Sequence, residues 1–390
     1  MIQDLYIKAA YPDAWVRNRD WLTLPTVESG DEKFAGLYAI YSGSENNLRV
    51  RLGGSGGHVL AWGEGSTQTT TNNTYYTKAY DYTAISGSVS VDHKGRNYKQ
   101  VIVTIDFETA STVELERNNT NLEYTTGWLD VVVAAANMTK CTLSQQRRST
   151  ELERLRIVQS NITNPGSAYQ YTNRLRILEL NIGTGASSLA STFGNTGNIR
   201  DTNNNPFSLT LPAITSLAST FANCLTTKLG NMTFTGATLT QSTFKGMRNL
   251  ISIGDINVGN SVKTTNFFNA NINMVDCGTI TTSANLTHVG SMFNSCYNLR
   301  SVNLTNCSGL TSVSNMLVNC DGLESLILTG LTKGGVAAKD GRMNTAALDA
   351  FMTSIGTANG SQTLNISGHP GSQTCDPSIA TAKGWTITVS

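Results

Sequence analysis

One short pattern, which reads Ser188-Leu-Ala-Ser-Thr-Phe193 at its first occurrence and Gly290-Ser-Met-Phe293 at its fifth, occurs six times between residues 188 and 317 at nearly constant spacing. Its closing apolar residues lie 28, 23, 24, 25 and 24 positions apart; they are Phe193, Phe221, Phe244, Phe268, Phe293 and Leu317. A repeat of this length predicts a solenoid, in which each coil buries its apolar edge against its neighbours. Because a solenoid presents a long regular surface, the pattern favours a binding protein over an enzyme.

A second pattern, Leu-x-x-Leu-x-Leu, recurs at the same period. The matched sets are Leu152, Leu155 and Ile157 with Leu175, Leu178 and Leu180, offset by 23, and Leu299, Val302 and Leu304 with Leu323, Leu326 and Leu328, offset by 24. Alternation of this kind is typical of the strand half of a leucine-rich repeat. The Ser-x-Met/Phe segments would then be the returning half, and the long unit before Phe221 would contain a loop at Ile199–Pro206.

The string Met292-Phe-Asn-Ser-Cys-Tyr-Asn-Leu299, with Leu304-Thr-Asn-Cys307, resembles the BspA-like class of leucine-rich repeat proteins. The resemblance covers about residues 145–330. It implies adhesion or assembly, since such repeats occur in bacterial and protist surface proteins and in phage virion proteins. Thr196, Met247 and Asn271 stand where the class usually has Cys, so we expect those rungs to be less regular.

The charge content of the chain is low: of 390 residues 14% are charged, and the formal net charge is +1. This composition suits β-rich, solvent-facing repeats and argues against nucleic acid as a partner. The basic residues cluster at Arg147-Arg148 and at Arg154 with Arg156. The second pair alternates with leucines and is interpreted as a solvated strand face rather than as a phosphate site. The length allows two or three domains.

The front of the chain reads as β-structure after an irregular segment at residues 1–20, which we interpret as an attachment segment. The pair Trp62-Gly-Glu-Gly65 and Thr74-Tyr-Tyr-Thr-Lys-Ala-Tyr-Asp-Tyr82 resembles the immunoglobulin-like PKD domain, which implies a β-sandwich that serves as a spacer or contact module. Glu64 replaces the Asp of that family, and Lys78-Ala-Tyr80 stands in place of its His-x-Tyr. Trp21–Pro25 followed by Phe34–Tyr41 also resembles the start of phage structural proteins with this domain order.

The last sixty residues differ from the repeats. Leu348, Phe351, Met352 and Ile355 predict an amphipathic helix over residues 345–355, which Gly356 would end. Asp376 and Pro377 would open a short helix that ends at Gly384, and Trp385, Ile387 and Val389 alternate as a final strand. Because an open solenoid end exposes apolar rungs, we interpret residues 331–390 as a cap.

The cysteines and histidines predict no metal site. The seven cysteines contain no Cys-x-x-Cys pair, and Cys224, Cys296 and Cys320 occupy equivalent repeat positions, which predicts free thiols buried in the solenoid. The four histidines are far apart and beside turn residues, so we expect surface or turn positions; they are His58, His93, His288 and His369.

Two patterns could be taken for catalytic features. Gly53-Gly-Ser-Gly-Gly57 lacks the Lys-Ser/Thr of a phosphate loop and is interpreted as a turn between strands. Carboxylates two residues apart on a strand share a face, as glycan-cleaving enzymes require of paired acids; the candidate pairs are Asp106 with Glu108 and Glu114 with Glu116. Such pairs are common on exposed strands, so no catalytic, cofactor-binding or metal residue is assigned.

Aromatic residues give the clearest binding hint in the front region. Four tyrosines, Tyr75, Tyr76, Tyr80 and Tyr82, lie close to Trp62 in sequence. They fit either core packing, which we favour, or a sugar-stacking patch.

The sequence predicts neither a secretory signal nor a membrane-spanning helix. Without an export signal, a virion protein assembled in the host cytosol is favoured over a cell-wall adhesin.

Taken together, the sequence predicts a mainly β protein with short helices. The expected order is an attachment segment (1–20), a PKD/Ig-like β-sandwich (21–126), a leucine-rich-repeat solenoid (127–330) and an α/β cap (331–390). The expected function is that of a non-enzymatic phage virion protein, a tail-fibre, baseplate or capsid-decorating adhesin. Its partners would be other virion proteins and a host-surface protein or glycan, with no cofactor, no nucleic acid, no membrane insertion and a possible homo-oligomer. The alternatives are a bacterial surface adhesin and a glycan-cleaving tail-spike enzyme.

Overall fold

The computed structural model describes residues 14–43, 46–116, 127–143, 151–163, 165–183, 185–336 and 341–389. The chain is mainly β, with 32% strand and 5% helix, and it contains a β-solenoid of about 11 turns. It divides into two compact units. The first comprises the described residues up to Ala186 together with Asn195–Asn205, and the second comprises Ser187–Gly194 and the described residues from Pro206 onward.

The first unit contains twelve named strands in its described part. They are β1 (Lys33–Tyr41), β2 (Asn46–Ser55), β3 (Val59–Ala61), β4 (Thr67–Thr69), β5 (Tyr75–Tyr80), β6 (Ser90–Val91), β7 (Asn97–Asp106), β8 (Thr109–Glu116), β9 (Trp128–Ala134), β10 (Lys140–Thr142), β11 (Arg154–Gln159) and β12 (Ile177–Leu180). One sheet has the order β12-β11-β9-β1-β7-β3-β4, with β6 beside β7, and the other has the order β10-β8-β2-β5.

Strand β1 is the centre of the first unit because eight of its nine residues are buried. On one face, the Tyr38 ring lies 5.0 Å from Trp128 and 6.0 Å from Tyr80 of the other sheet. On the opposite face, Leu37, Ala39 and Tyr41 pack in a cluster with Trp21. A strand that is apolar on both faces must be covered on both sides, and this one is covered by a sheet and by the N-terminal segment.

The sheet continues from antiparallel into parallel pairing at β9. β9 pairs antiparallel with β1 and parallel with β11, which in turn pairs parallel with β12. Leu155 lies opposite Leu178 and Ile157 opposite Leu180, so the sequence offset of 23 is confirmed as one rung of the ladder. Strand β9, which begins just after the expected boundary, therefore shares one hydrogen-bonded sheet with β1 and β11.

The second unit contains the longer parallel ladder. Its elements are β13 (Phe207–Thr210), β14 (Lys228–Thr233), β15 (Ser252–Ile253), β16 (Ile256–Asn257), β17 (Asp276–Cys277), β18 (Thr279–Thr281), β19 (Ser301–Leu304), a 3-10 helix (Cys307–Gly309), β20 (Ser325–Leu328), α1 (Thr345–Ser354), β21 (Gln362–Asn365), α2 (Ser378–Thr381) and β22 (Trp385–Thr388). The strands from β13 to β20 form one sheet in which every pair is parallel. Val302 lies opposite Leu326 and Leu304 opposite Leu328, which confirms the offset of 24.

The returning segments are chains of turns rather than strands. The Ser or Asn that stands two positions before each closing apolar residue has a left-handed backbone, as at Ser219 (φ 56°) and Asn266 (φ 56°). Short polar residues and glycine tolerate this conformation best, which explains their recurrence in the pattern. Their N–H groups donate to the next rung: Ser191 to the carbonyl of Ala218 (2.9 Å) and Ser219 to that of Gln241 (3.0 Å). These segments therefore form their own hydrogen-bonded ladder.

Phenylalanines fill the interior of the second unit. Successive rings are stacked from rung to rung, with centroids 5.4 Å apart for Phe193 and Phe221 and 5.6 Å apart for Phe268 and Phe293. The stacking is equally close, 5.2 Å, between Phe244 and Phe268. The irregularity expected at the rungs of Met247 and Asn271 is thus not seen in the ring stack.

The predicted column of buried thiols is confirmed. Cys224, Cys296 and Cys320 are buried, and none of the three is part of a disulfide. Their thiols donate to the carbonyls of the preceding rung, Cys224 to Phe193 (2.8 Å) and Cys320 to Phe293 (3.1 Å). The Phe293 carbonyl also accepts the N–H of Cys296 (3.1 Å), so the Cys320 thiol adds a second, weak hydrogen bond to it.

The predicted helix over residues 345–355 is confirmed as α1, which buries Leu348, Phe351 and Met352 and is capped by the Asn344 side chain. Its expected end was wrong in detail. Ile355 is already extended (ψ 154°), and Gly356 does not adopt a left-handed φ. A Cβ at Gly356 would lie 2.9 Å from the carbonyl oxygen of Gly330, so this glycine permits close packing rather than a turn.

The second predicted helix is α2, which starts one residue later than expected. Asp376 accepts the N–H of Ser378 (2.9 Å), while Pro377 precedes the first helical residue. Gly384 has φ 81° and leads into β22, which pairs parallel with β21.

Candidate interaction surface

A polar ladder runs across the exposed side of the parallel sheet in the second unit. Asn231 Oδ1 accepts the N–H of Asp255 (3.0 Å), and Asp255 Oδ1 accepts the N–H of Thr279 (2.8 Å). On the next rung, Asn303 Nδ2 donates to Thr279 Oγ1 (3.2 Å). Each side chain is therefore fixed by the rung that follows it, so the ladder presents ordered polar groups at a regular spacing.

A column of glycines lies beneath this ladder at Gly230, Gly254 and Gly278. A Cβ at Gly254 would collide with Asn231 Oδ1, and one at Gly278 would lie 2.6 Å from Asp255 Oδ1. The glycines leave the space into which the preceding side chain folds. They therefore allow the polar ladder to lie flat on the sheet.

A second ladder consists of threonines at the corner between the turns and the sheet. The hydroxyls of Thr215, Thr287 and Thr311 donate to main-chain carbonyls of the preceding rung, at 2.8, 3.0 and 3.1 Å. Val262 takes the place of Thr in this column and is 39% exposed. Leu239 lies one rung earlier, in the neighbouring column opposite Ser216 and Lys263, and is 53% exposed. Leu239 and Val262 are thus two exposed apolar side chains on a polar surface.

The predicted tyrosine cluster separates into core and surface. The Tyr80 side chain is buried and its hydroxyl donates to the carbonyl of Trp62 (2.8 Å), so core packing is confirmed for this residue. Tyr75 is 39% exposed and stacks on the guanidinium groups of Arg49 and Arg51, at 4.2 and 4.8 Å from the ring centroid. The cluster therefore does not form one continuous patch.

The two carboxylate pairs do not form a common acidic site. β7 ends at Asp106, which faces Lys33 (3.2 Å), and Glu108 lies in the following turn, where it accepts the N–H of Gly57 (2.8 Å). The interpretation of Asp106 and Glu108 as neighbours on one strand was therefore wrong. Glu114 does lie on β8 with Glu116, whose side chain is outside the described residues.

Glu114 is buried and ion-paired. Arg51 Nη2 lies 2.5 Å and Lys140 Nζ 2.6 Å from its carboxylate oxygens. Burial would raise the pKa of Glu114, but the hydrogen bonds from Arg51 and Lys140 outweigh it and hold the pKa below its usual range. A carboxylate neutralised in this way is poorly suited to general acid catalysis.

Two of the four histidines, His58 and His369, are buried, so the expectation of a surface position is wrong for them, although both lie in segments between strands or helices. His58 Nδ1 accepts the N–H of Glu108 (3.2 Å), and His369 Nδ1 accepts the N–H of Met343 (3.1 Å). Each ring therefore serves a main-chain donor within the core. His93 is exposed and His288 is half-buried.

The arginines of β11 and the glycine run at residues 53–57 also have structural roles. Arg154 makes two bonds to Asp130, at 2.7 and 2.6 Å, and Arg156 pairs with Glu179 (2.7 Å), so the two are ion-paired rather than only solvated. Arg147 and Arg148 lie outside the described residues. β2 runs on through Gly53 and Gly54, where its register shifts, so the turn is shorter than predicted.

One group of described residues has the composition of a metal site. Ligand atoms of Asp92, His93 and Glu151 lie within 4.8 Å of one another. Arg96 Nη2, however, lies 2.9 Å from Glu151 and 2.5 Å from Asp92, and Arg174 Nε lies 3.9 Å from Glu151. Burial, then the charge of Arg174, lowers the pKa of His93. A divalent cation would have to compete with two guanidiniums, so this arrangement is that of an ion-pair network.

No family model, curated protein or solved structure matches the chain. In the described part of the chain, no helix has both the length and the apolar character needed to span a membrane. The structure itself defines the class as a mainly β protein with a repeat solenoid.

Proposed function

We propose that the chain is a non-enzymatic structural protein of a phage particle, a BspA-like repeat adhesin that contacts a host surface or a neighbouring subunit through its solenoid. The observation that carries this proposal is the pair of ordered polar ladders on consecutive rungs of the second unit. Weak contacts repeated along such a ladder add up when one partner spans several rungs.

The exposed apolar side chains of Leu239 and Val262 supply the second argument. Apolar side chains with 53% and 39% exposure on adjacent rungs lose contact with water when a partner covers them. The surrounding threonines supply hydroxyls that remain available for hydrogen bonds. An apolar centre with a polar rim is the usual anatomy of a protein interface.

We further propose that residues 21–126 form a PKD/Ig-like sandwich and residues 331–390 an α/β cap. The sandwich is supported by two contacts between the motifs that resemble the PKD domain. The Tyr80 hydroxyl donates to the Trp62 carbonyl, and Glu64 forms an ion pair with Lys78. For the cap, support comes from Gly330 N–H, which donates to the Ser354 carbonyl of α1 (2.9 Å) next to β20. The residues before 21 would attach to other virion proteins.

The location is tested by electron microscopy of purified phage particles that carry the gene, labelled with an antibody against residues 331–390. Labelling at a fixed place on the particle is expected. Labelling of the bacterial envelope with unlabelled particles would instead favour a cell-surface adhesin. Release of reducing ends from host polysaccharide by the pure protein would overturn the non-enzymatic assignment.

The contact surface is tested with the double variant Leu239→Glu and Val262→Glu in the full chain. It should reduce binding to host cells or to the neighbouring subunit at least about tenfold, because charge is introduced at the centre of the contact. The matched control is Val91→Glu in the first unit, where the side chain is 59% exposed and no contact is proposed. Equal binding by both variants would exclude Leu239 and Val262 from the contact.

A further inference from the structure

A column of four side chains lies in the second unit where each returning segment leads back into the sheet. Its members are Arg248, Ile272, Tyr297 and Asp321, and each directly follows a buried residue of the repeat. We propose that this corner column is a contact between two copies of the chain, which pack against each other in antiparallel orientation. Arg248 of one copy then faces Asp321 of the other.

Hydrogen bonds between rungs hold the corner column at a regular spacing. The main-chain carbonyl of each of the first three members accepts a bond from the residue that directly follows the next member. The donors are Asn273 Nδ2 to the Arg248 carbonyl (2.7 Å), Asn298 Nδ2 to the Ile272 carbonyl (2.9 Å) and Gly322 N–H to the Tyr297 carbonyl (3.0 Å). Since neighbouring rungs are about 4.8 Å apart, the four members extend over about 14 Å.

Three of the four members are exposed. Tyr297 has 45% of its surface in contact with solvent, Arg248 and Asp321 are exposed as well, and Ile272 is half-buried. In the part of the chain that the structure describes, neither Arg248 nor Asp321 takes part in an ion pair. Both charges are therefore available to a partner. Tyrosine and arginine are also the residue types that contribute most often to the affinity of protein interfaces.

A neighbouring column, three residues further along each rung, adds to the apolar centre. Ile251 and Val275 are half-buried, and the Val275 N–H donates to the Ile251 carbonyl (2.8 Å), so the two lie on successive rungs. Arg300 and Glu324 continue this column and lie 3.8 Å apart. Because these two charges are already paired within one copy, the partner is selected by the charges of the corner column.

The order of side chains along the corner column is positive, apolar, aromatic and negative. A two-fold axis perpendicular to the column reverses this order in the second copy, so each Arg248 faces an Asp321 and each Ile272 faces a Tyr297. The parallel alternative places Arg248 against Arg248, and repulsion between like charges disfavours it. The surface is thus complementary to itself, and a second copy of the chain is the partner that it fits.

This inference goes beyond the proposed function and does not depend on it. Leu239 and Val262 precede the returning segments of their rungs, whereas the corner column follows them. Loss of self-association therefore leaves binding through Leu239 and Val262 measurable, and loss of that binding leaves self-association measurable.

Self-association is tested by sedimentation equilibrium of the full chain over about 1–200 µM. A dimer is expected, and its affinity should fall with added salt because exposed ion pairs form on association. Arg248→Asp and Asp321→Arg should each weaken the dimer at least about tenfold, because either change puts like charges opposite each other at both ends of the contact. Circular dichroism should show unchanged folding, since both side chains are exposed.

Two further samples test the antiparallel orientation. An equimolar mixture of Arg248→Asp and Asp321→Arg should form a heterodimer, because each variant supplies the charges that the other lacks. The double variant should again form a homodimer. The matched control is Lys263→Asp, which reverses an exposed charge in the column of Leu239 and should leave the dimer unchanged.

Four results would each overturn the proposal. They are an unmodified chain that stays monomeric up to about 200 µM, single variants that dimerise like the unmodified chain, a mixture that stays monomeric, and an equal loss of affinity in Lys263→Asp.

Discussion

The rings of Phe221 and Phe244 lie parallel to within 5°, with their centroids 5.5 Å apart. The two residues are 23 positions apart in sequence and occupy the same place on successive rungs. Their contact shows how the solenoid is stabilised, because each rung buries a ring against the next one. The predictions below follow from such contacts between rungs and from the buried charges of the first unit.

Phe244→Ala should reduce the free energy of unfolding by about 3–5 kcal/mol, because a fully buried ring is replaced by a cavity. Phe244 also contacts Phe267 and Phe268, each at 5.2 Å between centroids. Urea denaturation followed by circular dichroism measures the effect. Leu239→Ala is the control and should change stability by less than about 0.5 kcal/mol, since Leu239 is 53% exposed. Equal losses in the two variants would contradict the stacked-ring interior.

Ala270→Gly should stabilise the protein by about 0.5–1 kcal/mol. Ala270 has φ 64°, and this left-handed conformation costs about 1–2 kcal/mol for a residue with a Cβ. The gain is reduced by the greater freedom of glycine in the unfolded chain. Ala222→Gly, where φ is negative, should destabilise instead. Melting temperatures that shift the same way in both variants would refute the assignment of the left-handed backbone.

Gly254→Ala should destabilise by about 1–3 kcal/mol, because the added methyl collides with Asn231 Oδ1 and forces the polar ladder off the sheet. Gly290→Ala is the matched control. The nearest atom to its added Cβ is Ser314 Oγ at 3.6 Å, so this change should be neutral or slightly stabilising. Differential scanning calorimetry distinguishes the two, and an unaffected Gly254→Ala protein would mean that the ladder is not packed on the glycines.

Glu114→Gln should destabilise by about 1–3 kcal/mol at pH 7, since Arg51 and Lys140 lose their buried counter-charge. Because the folded-state pKa of Glu114 is depressed, its contribution is present above the unfolded value of 4.5 and is lost as the pH falls through the lower folded value. The difference between the two proteins should therefore shrink below pH 4.5. Urea denaturation of both proteins at several pH values from 3 to 7 measures this difference in the free energy of unfolding. A difference that stays constant with pH would show that the ionisation of Glu114 is not its cause.

Cys375 should react first with a thiol reagent in the native protein. It is the half-buried cysteine, whereas the other six are buried. Burial, followed by the charge of Asp349, raises the pKa of Cys375, so the reaction should be slow at neutral pH. Burial raises the pKa of Cys277 and Cys320 further, to about 12. Counting labelled thiols by mass spectrometry should give one native site, absent in Cys375→Ser, and seven after unfolding.

The period of the solenoid could be read from the chain because stacking equivalent residues repeats one local environment. Leu155 opposite Leu178 and Leu304 opposite Leu328 follow directly from offsets of 23 and 24. The left-handed position of the repeated pattern is occupied by Ser or Asn on every rung, whereas Ala270 adopts the same conformation outside the pattern. The phage role remains a prediction, because a repeated surface constrains shape more than partner.

Only the folded structure shows the contacts between residues that are far apart in sequence. No spacing predicted that His58 and His369 would be buried on main-chain donors, or that Trp15 would contact Asn204 across 189 residues. The sequence by itself determined the repeat, because each rung interacts mainly with its neighbours. The tertiary structure determined the buried charges and the contact of Trp15 with Asn204, because these depend on long-range contacts that no local pattern encodes.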